Sequence, residues 1–422
     1  MSKIFAFDYD LHDFANGLRL IAVPTGFPHI VSLYIVVNVG SRNEIEEGKS
    51  GFAHLFEHMM FRGTEKYPPE RYDAVLKQAG AAQNAYTDDD LTAYHTTFTR
   101  EDLRAVIEME ADRFQNLEYG EDAFRTETRA VLAEYNKDSA EPLHMLHEKL
   151  REAAFEKHPY RHTTMGFLAD IERMPELYEF SKEFHKRYYR PERTTIILAG
   201  DVSVEECRAL VEQYWSAWQR GSYRDAVPTA PPLDGPREVQ VDWPSATMPL
   251  LQIAYRTPAF NDSSPVSASL DILSYLYFSE TSALYEDLVL KEQICDHFFG
   301  LNADHVDPYL YVITARVKDP ARVEDVKRKV AATIAAMQSE AIDERRLDAV
   351  KKHLRYAFAM RMDHTEGIAG LLARYVAMRR SPETIEALFE QYAKVSADDL
   401  QRAAREYFVE PNRVTVELRH AV

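Results

Sequence analysis

Cysteine is almost missing from this 422-residue chain. Its two residues, Cys207 and Cys295, cannot make a disulfide framework or a cysteine-only zinc cluster. Glycine (15) and proline (20) are too sparse for a disordered or collagen-like chain. Positive charge is short: 50 Lys and Arg stand against 68 Asp and Glu, a formal net charge of −18. Nucleic acid and anionic membrane need basic patches, so both are excluded as main partners, and cationic ligands are mildly favoured. No apolar run approaches the ~20 residues of a membrane span, and the longest, 30–39, is broken by Ser32 and Asn38. The first residues show no signal-peptide apolar core, so the chain reads as cytoplasmic. A periplasmic chain already shortened at its start would read alike.

What is present is 45% hydrophobic sequence, enough for a large core. At ~100–200 residues per domain, about two domains are expected. The pattern is α+β. Strands are expected at 18–23 and 30–39, then a short helix at 50–61 capped by Ser50. A helix at 69–78 precedes a hairpin, 82–87 and 92–98, turning at Asp88-Asp89-Asp90. Helices at 101–117, 121–137 and 177–188, a strand at 194–198 and a helix at 204–218 complete the first half. Pro228, Pro231, Pro232, Gly235 and Pro236 crowd into 220–236, which reads as a linker. The second half repeats the order loosely. Strands at 250–255 and 309–317 alternate with helices at 267–278, 281–291, 322–337, 343–362 and 366–379. The expected division is therefore 1–219, linker 220–236, and a related domain 237–422, each domain a mainly antiparallel sheet packed with helices.

The halves differ at one place. The helix at 50–61 is apolar all round, with Phe52, Leu55, Phe56, Met59, Met60 and Phe61, and so is buried. Yet it carries His54, Glu57 and His58. Burying such groups costs several kcal/mol unless something satisfies them. Positions i and i+4 put both histidines on one face, where two imidazoles can share a zinc ion. Glu57 flanks the pair and can reach a water in an open metal position. The bland alternative is two core histidines bonded to backbone. A third ligand is needed. Glu127 and Glu134, two turns apart on the helix at 121–137, share a stripe with Ala130 and Val131 between them.

His54-Leu-Phe-Glu57-His58, with Glu127 and Glu134 downstream, resembles the inverted-zincin M16 metallopeptidases, which include pitrilysin, insulin-degrading enzyme and the mitochondrial processing peptidase. Phe61-Arg-Gly-Thr64, Asn84-Ala-Tyr-Thr87, Glu110-Ala-Asp-Arg113, His158-Pro-Tyr160 and Gly200-Asp201 agree. The resemblance implies one zinc per chain held by His54, His58 and Glu134. It implies Glu57 as general base and Glu127 as a carboxylate orienting a ligand. It also implies that Asn84, Ala85, Tyr86 and Thr87 bind substrate by strand addition.

The family's second half usually carries an Arg and, seven residues later, a Tyr that stabilise the oxyanion. Here those positions are Val289 and Asp296. Family members are clamshells of four related domains, in one chain or two. The expectation is thus half a clamshell: the zinc subunit of a heterodimer whose related, non-zinc partner supplies the Arg and Tyr. The rival is a homodimer in which Tyr285, His297 or Arg316 substitutes. The implied activity is a zinc endopeptidase acting on unfolded peptides in a closed chamber. Alternatives are a processing peptidase for basic targeting peptides and a non-catalytic scaffold subunit.

Overall fold

The computed structural model describes residues 3–421. The fold is α+β, with two sheets packed by helices. In the first half, β1 (Asp10–Asp13), β2 (Arg19–Pro24) and β3 (Ile30–Val37) lead to α1 (Phe52–Met59) and α2 (Pro69–Gln78). The hairpin β4 (Ala82–Thr87) and β5 (Thr92–Thr99) follows, then α3 (Leu103–Asn116), α4 (Glu121–Asp138) and α5 (Pro142–Ala154). After α6 (Leu168–Arg173) and α7 (Tyr178–Tyr188) come β6 (Thr194–Gly200) and α8 (Val204–Trp215). The second half begins with β7 (Arg237–Trp243), β8 (Leu250–Thr257), α9 (Pro265–Phe278) and the single turn α10 (Ala283–Tyr285). That turn runs into a π-helix, Glu286–Lys291, where a regular helix is expected. Then come β9 (Cys295–Asn302), β10 (Tyr309–Val317), α11 (Val323–Ser339), α12 (Glu344–Met360), α13 (Thr365–Arg379), α14 (Glu383–Lys394), α15 (Ala397–Tyr407) and β11 (Arg413–His420). Among the described residues, no helix is long and apolar enough to cross a membrane.

The sheets have orders β1-β2-β6-β3-β5-β4 and β7-β11-β8-β10-β9. Without β1 the two orders match strand for strand. The single parallel pair falls in the same place, β2 with β6 and β7 with β11. This is the repeat expected from the sequence pattern.

The chain divides into two compact units that cut across the expected division at 220–236. One holds residues 1–135, 162–227 and 358–382; the other holds 136–161, 228–357 and 383–422. In the first unit α13, from the second half of the sequence, lies on β3 and β6. Ser32 Oγ meets Thr365 Oγ1 at 2.8 Å, and Ile368, Ala369, Leu372 and Val376 are fully buried. On the opposite face, α1 packs against β4 and β5, and Tyr94 Oη donates to the Phe56 carbonyl at 2.9 Å. A strand covered on both faces reads as a nearly continuous apolar run, which explains Val31 to Val37, where the one polar residue, Ser32, is satisfied by the Thr97 and Thr365 hydroxyls. In the second unit α5, from the first half, lies on β7, β8 and β11, its Leu146 and Leu150 packed with Ala254, Val414 and Val416. Each sheet thus takes one covering helix from the other half of the chain.

Candidate metal centre and active site

The face of α1 that carries His54 and His58 is set by how the helix starts. Ser50 does not cap it. Its Oγ instead donates to Asp170 at 2.6 Å and accepts the Phe167 N–H at 2.8 Å. The cap position is Gly51, at φ +90°, where a Cβ would lie 2.7 Å from the Met165 carbonyl. Only glycine fits both the left-handed backbone and that approach. The free N–H groups of the first turn go to Glu44, whose two oxygens accept from Gly51 and Ala53, each at 2.7 Å. Glu44 is buried, and burial outweighs these bonds to push its pKa up to about 8. A carboxyl acceptor there suits the positive end of the helix.

One turn on, the rings of His54 and His58 sit 4.9 Å apart, edge to face. His54 Nε2 lies 3.6 Å, and His58 Nε2 3.4 Å, from the same atom, Oε2 of Glu134 on α4. Donor atoms of the three residues all fall within 4.8 Å of one another. Bonds of ~2.0–2.2 Å at tetrahedral angles place neighbouring ligand atoms ~3.3–3.6 Å apart, a spacing that both histidine–glutamate distances meet, so the three residues could hold a zinc ion. Burial, then His58, lowers the His54 pKa to about 4, which keeps the imidazole neutral. Neutral imidazole is the ligating form.

The remaining residues surround this triad. Glu127, also on α4, puts Oε2 3.4 Å from His58 Nδ1 and pairs its other oxygen with Arg62. Glu57 accepts a 2.7 Å bond from Thr87 Oγ1, and burial raises its pKa. A cleft of about 510 Å³ opens here, lined among others by Glu57, His58, Asn84, Ala85 and Glu127. β4 is the last strand of its sheet and runs along this cleft. Ala85 and Thr87 are on the α1 face. Tyr86 is on the other face, its ring 6.3 Å from His95. Asn84 lies on the Tyr86 side, paired across the ladder with His95. Sequence reasoning missed Glu44 and Arg62. Arg62 sits four residues after His58, which was its signal; Glu44 offered none beyond an acid before a buried helix without a polar cap.

In the second half Val289 lies in the π-helix and Asp296 near the start of β9. Asp296 is clamped by Arg316 of β10, Nε to Oδ1 at 2.7 Å and Nη2 to Oδ2 at 2.9 Å. The His297 ring meets Phe299 at 5.1 Å.

Two histidines one turn apart, faced by a glutamate from a second helix, could hold a metal ion, and they stand in the inverted His-x-x-Glu-His order. Two family models match in succession: Insulinase (Peptidase family M16) over residues 21–167 and Peptidase M16 inactive domain over residues 178–354. The chain belongs to peptidase family M16, a family of zinc metalloproteases. It is 28% identical over 415 residues to the zinc protease PqqE of Helicobacter pylori, spanning 96% of this chain and 91% of that one. It is 25% identical to the mitochondrial-processing peptidase subunit beta of Bos taurus, spanning 74% of this chain and 64% of that protein. The crystal structure of a protease from Helicobacter pylori superposes with a TM-score of 0.90 at 26% identity, over 98% of this chain and 100% of that chain. The first half of the periplasmic protease PqqL from Escherichia coli shares the fold, with a TM-score of 0.78 at 18% identity, over 98% and 92% of the two chains.

Proposed function

We propose that the chain is a zinc-dependent endopeptidase, with His54, His58 and Glu134 holding the metal and Glu57 as general base. One observation carries this reading: both histidine Nε2 atoms face a single glutamate oxygen at 3.6 and 3.4 Å. When bound, zinc supplies Lewis acidity toward the attacking water and the scissile carbonyl. Glu57 takes the water proton at its carboxylate and passes it to the leaving amine. Its raised pKa brings it nearer neutrality, where a base that must later act as acid works best. Thr87 Oγ1 fixes the orientation of that carboxylate. Glu127 holds His58 through Nδ1, and Arg62 holds Glu127. Asn84 and Ala85, on the edge strand lining the cleft, are positioned to take an extended peptide by strand addition, reading backbone more than side chains.

The oxyanion side points to a partner. Val289 has no donor, and Asp296 is occupied by Arg316. We therefore propose that a related subunit without zinc completes the site in a heterodimer. The homodimer alternative must draw on Tyr285 or His297, since Arg316 is engaged. Similarity to a processing peptidase subunit keeps basic targeting peptides as a second substrate class.

The test is zinc content plus cleavage of a fluorogenic peptide, alone and with a candidate sister subunit. We expect about one zinc per chain and activity only with the partner. Full activity alone would remove the heterodimer reading, and zinc well below one per chain would remove the site. Glu57→Gln is expected to keep zinc and lose on the order of 10²–10⁴-fold in rate. A near wild-type rate would reject Glu57 as base.

A further inference from the structure

A second cleft, of about 470 Å³, lies in the first unit away from the metal residues. Five arginines line it: Arg19, Arg193, Arg220, Arg224 and Arg380. Only two carboxylates do, Asp13 and Glu192. In a chain of formal charge −18 this is a local reversal of sign.

The nearby acids are already engaged. Asp13 takes Arg19 in a two-pronged pair, Nε to Oδ1 and Nη2 to Oδ2, both at 2.7 Å. Glu192 accepts the Gly221 N–H at 3.0 Å. Asp225 holds Arg193 at 3.0 Å. Arg220, Arg224 and Arg380 are left with no carboxylate ion pair among the described residues. Arg380 closes α13 with a left-handed backbone, φ +55°. Its guanidinium donates only to backbone carbonyls, those of Glu192 at 2.6 Å, Thr194 at 3.1 Å and Gly17 at 3.4 Å. Its Nε is enclosed and without a hydrogen-bond partner. Burial, with repulsion from Arg19 and Arg220 and only partial relief from Asp13 and Glu192, lowers its pKa. A bound anion would relieve that cost.

We propose that this cleft binds a small anion carrying two or more phosphate groups. Three guanidiniums without a carboxylate ion pair call for more than one negative charge. Planar guanidinium forks match phosphate oxygens two at a time, and each phosphate offers acceptors to forks from several directions. The cleft is also far larger than a single phosphate. No metal-site residue contributes, so the inference stands apart from the proposed peptidase chemistry.

The test is calorimetric titration of the zinc-loaded full chain with inorganic tripolyphosphate, beside the double variant R220A/R224A. Both side chains are exposed, so the variant is expected to fold. We expect one site per chain, weakened about tenfold or more in the variant, and weakened in both chains as salt rises. Zinc withdrawal by the probe would give equal heats in both chains. Equal titrations, or no binding by the wild type, would overturn the proposal. Citrate is the second probe: affinity equal to tripolyphosphate would overturn the assignment to phosphate.

Discussion

At the scale of single residues, the buried acid Glu44 governs how α1 begins. It is joined to the backbone of Gly51 and Ala53, immediately before His54. Removing a helix cap costs about 1–2 kcal/mol, so Glu44→Ala is expected to lower stability by that amount and to weaken zinc binding. Urea unfolding and zinc competition with a chromogenic chelator would check both; unchanged zinc affinity would reject the positioning role. His185 on α7 shows a different cost. Its ring is stacked on Tyr189 at 4.9 Å and lies 5.4 Å from Phe56. Burial, then Arg190, lowers its pKa from 6.5 to about 3. Below pH 6.5 the unfolded chain takes up a proton that the folded chain refuses until about pH 3. The stability tied to His185 is thus whole above pH 6.5 and drains away as pH falls toward about 3. His185→Phe is expected to gain roughly 2–3 kcal/mol on the wild type at mildly acid pH, relative to any difference at neutral pH. Parallel loss of stability in both chains on acidification would contradict this.

At the scale of elements, α3 carries a buried ion pair that stiffens the ground under the site. Arg113 Nε donates to Glu110 Oε2 at 2.8 Å, and Tyr72 of α2 donates to Glu110 Oε1 at 2.9 Å. The guanidinium also lies over the Phe61 ring at 4.8 Å and the Tyr94 ring at 5.0 Å. Arg113→Ala would leave Glu110 buried and unpaired, a cost of about 3–5 kcal/mol. Chemical unfolding would measure it, and a cost below 1 kcal/mol would show that the pair is dispensable. The Glu110-Ala-Asp-Arg113 stretch noted in the sequence is therefore structural. Legibility varied among the strands for similar local reasons. The run in β3 was plain because both its faces are buried. β11, with Val414, Val416 and Leu418 alternating against Thr415, Glu417 and Arg419, carried a period-two signal that sequence reading passed over. β9 had no such pattern: Phe298 is buried beside an exposed Phe299 and Leu301.

At the scale of the whole molecule, the exchange of helices makes the halves mutually dependent. A chain ending at residue 219 lacks 358–382, and with it the cover of β3 and β6. Such a fragment is expected to unfold without a sharp transition and to aggregate through the exposed sheet face. Circular dichroism melting of the fragment against the full chain tests this. A cooperative melt of the 1–219 fragment would show that α13 is not needed.

The sequence by itself determined that His54, Glu57 and His58 share one helix with both histidines on one face, because they are related by one turn of local geometry. It also determined most strands and helices of the first half and the existence of a repeat, since hydrophobic period is a local property. The family resemblance named Glu134 ahead of Glu127, but the residues alone left the two open, since they share a stripe on α4 and the docking of that helix decides which faces both histidines; the tertiary structure puts Glu134 there. The role of Glu44, the hold of Arg62 on Glu127, and the crossing of α5 and α13 into each other's units are likewise tertiary. Each depends on which distant surfaces meet, and the spacing of residues along the chain does not encode that.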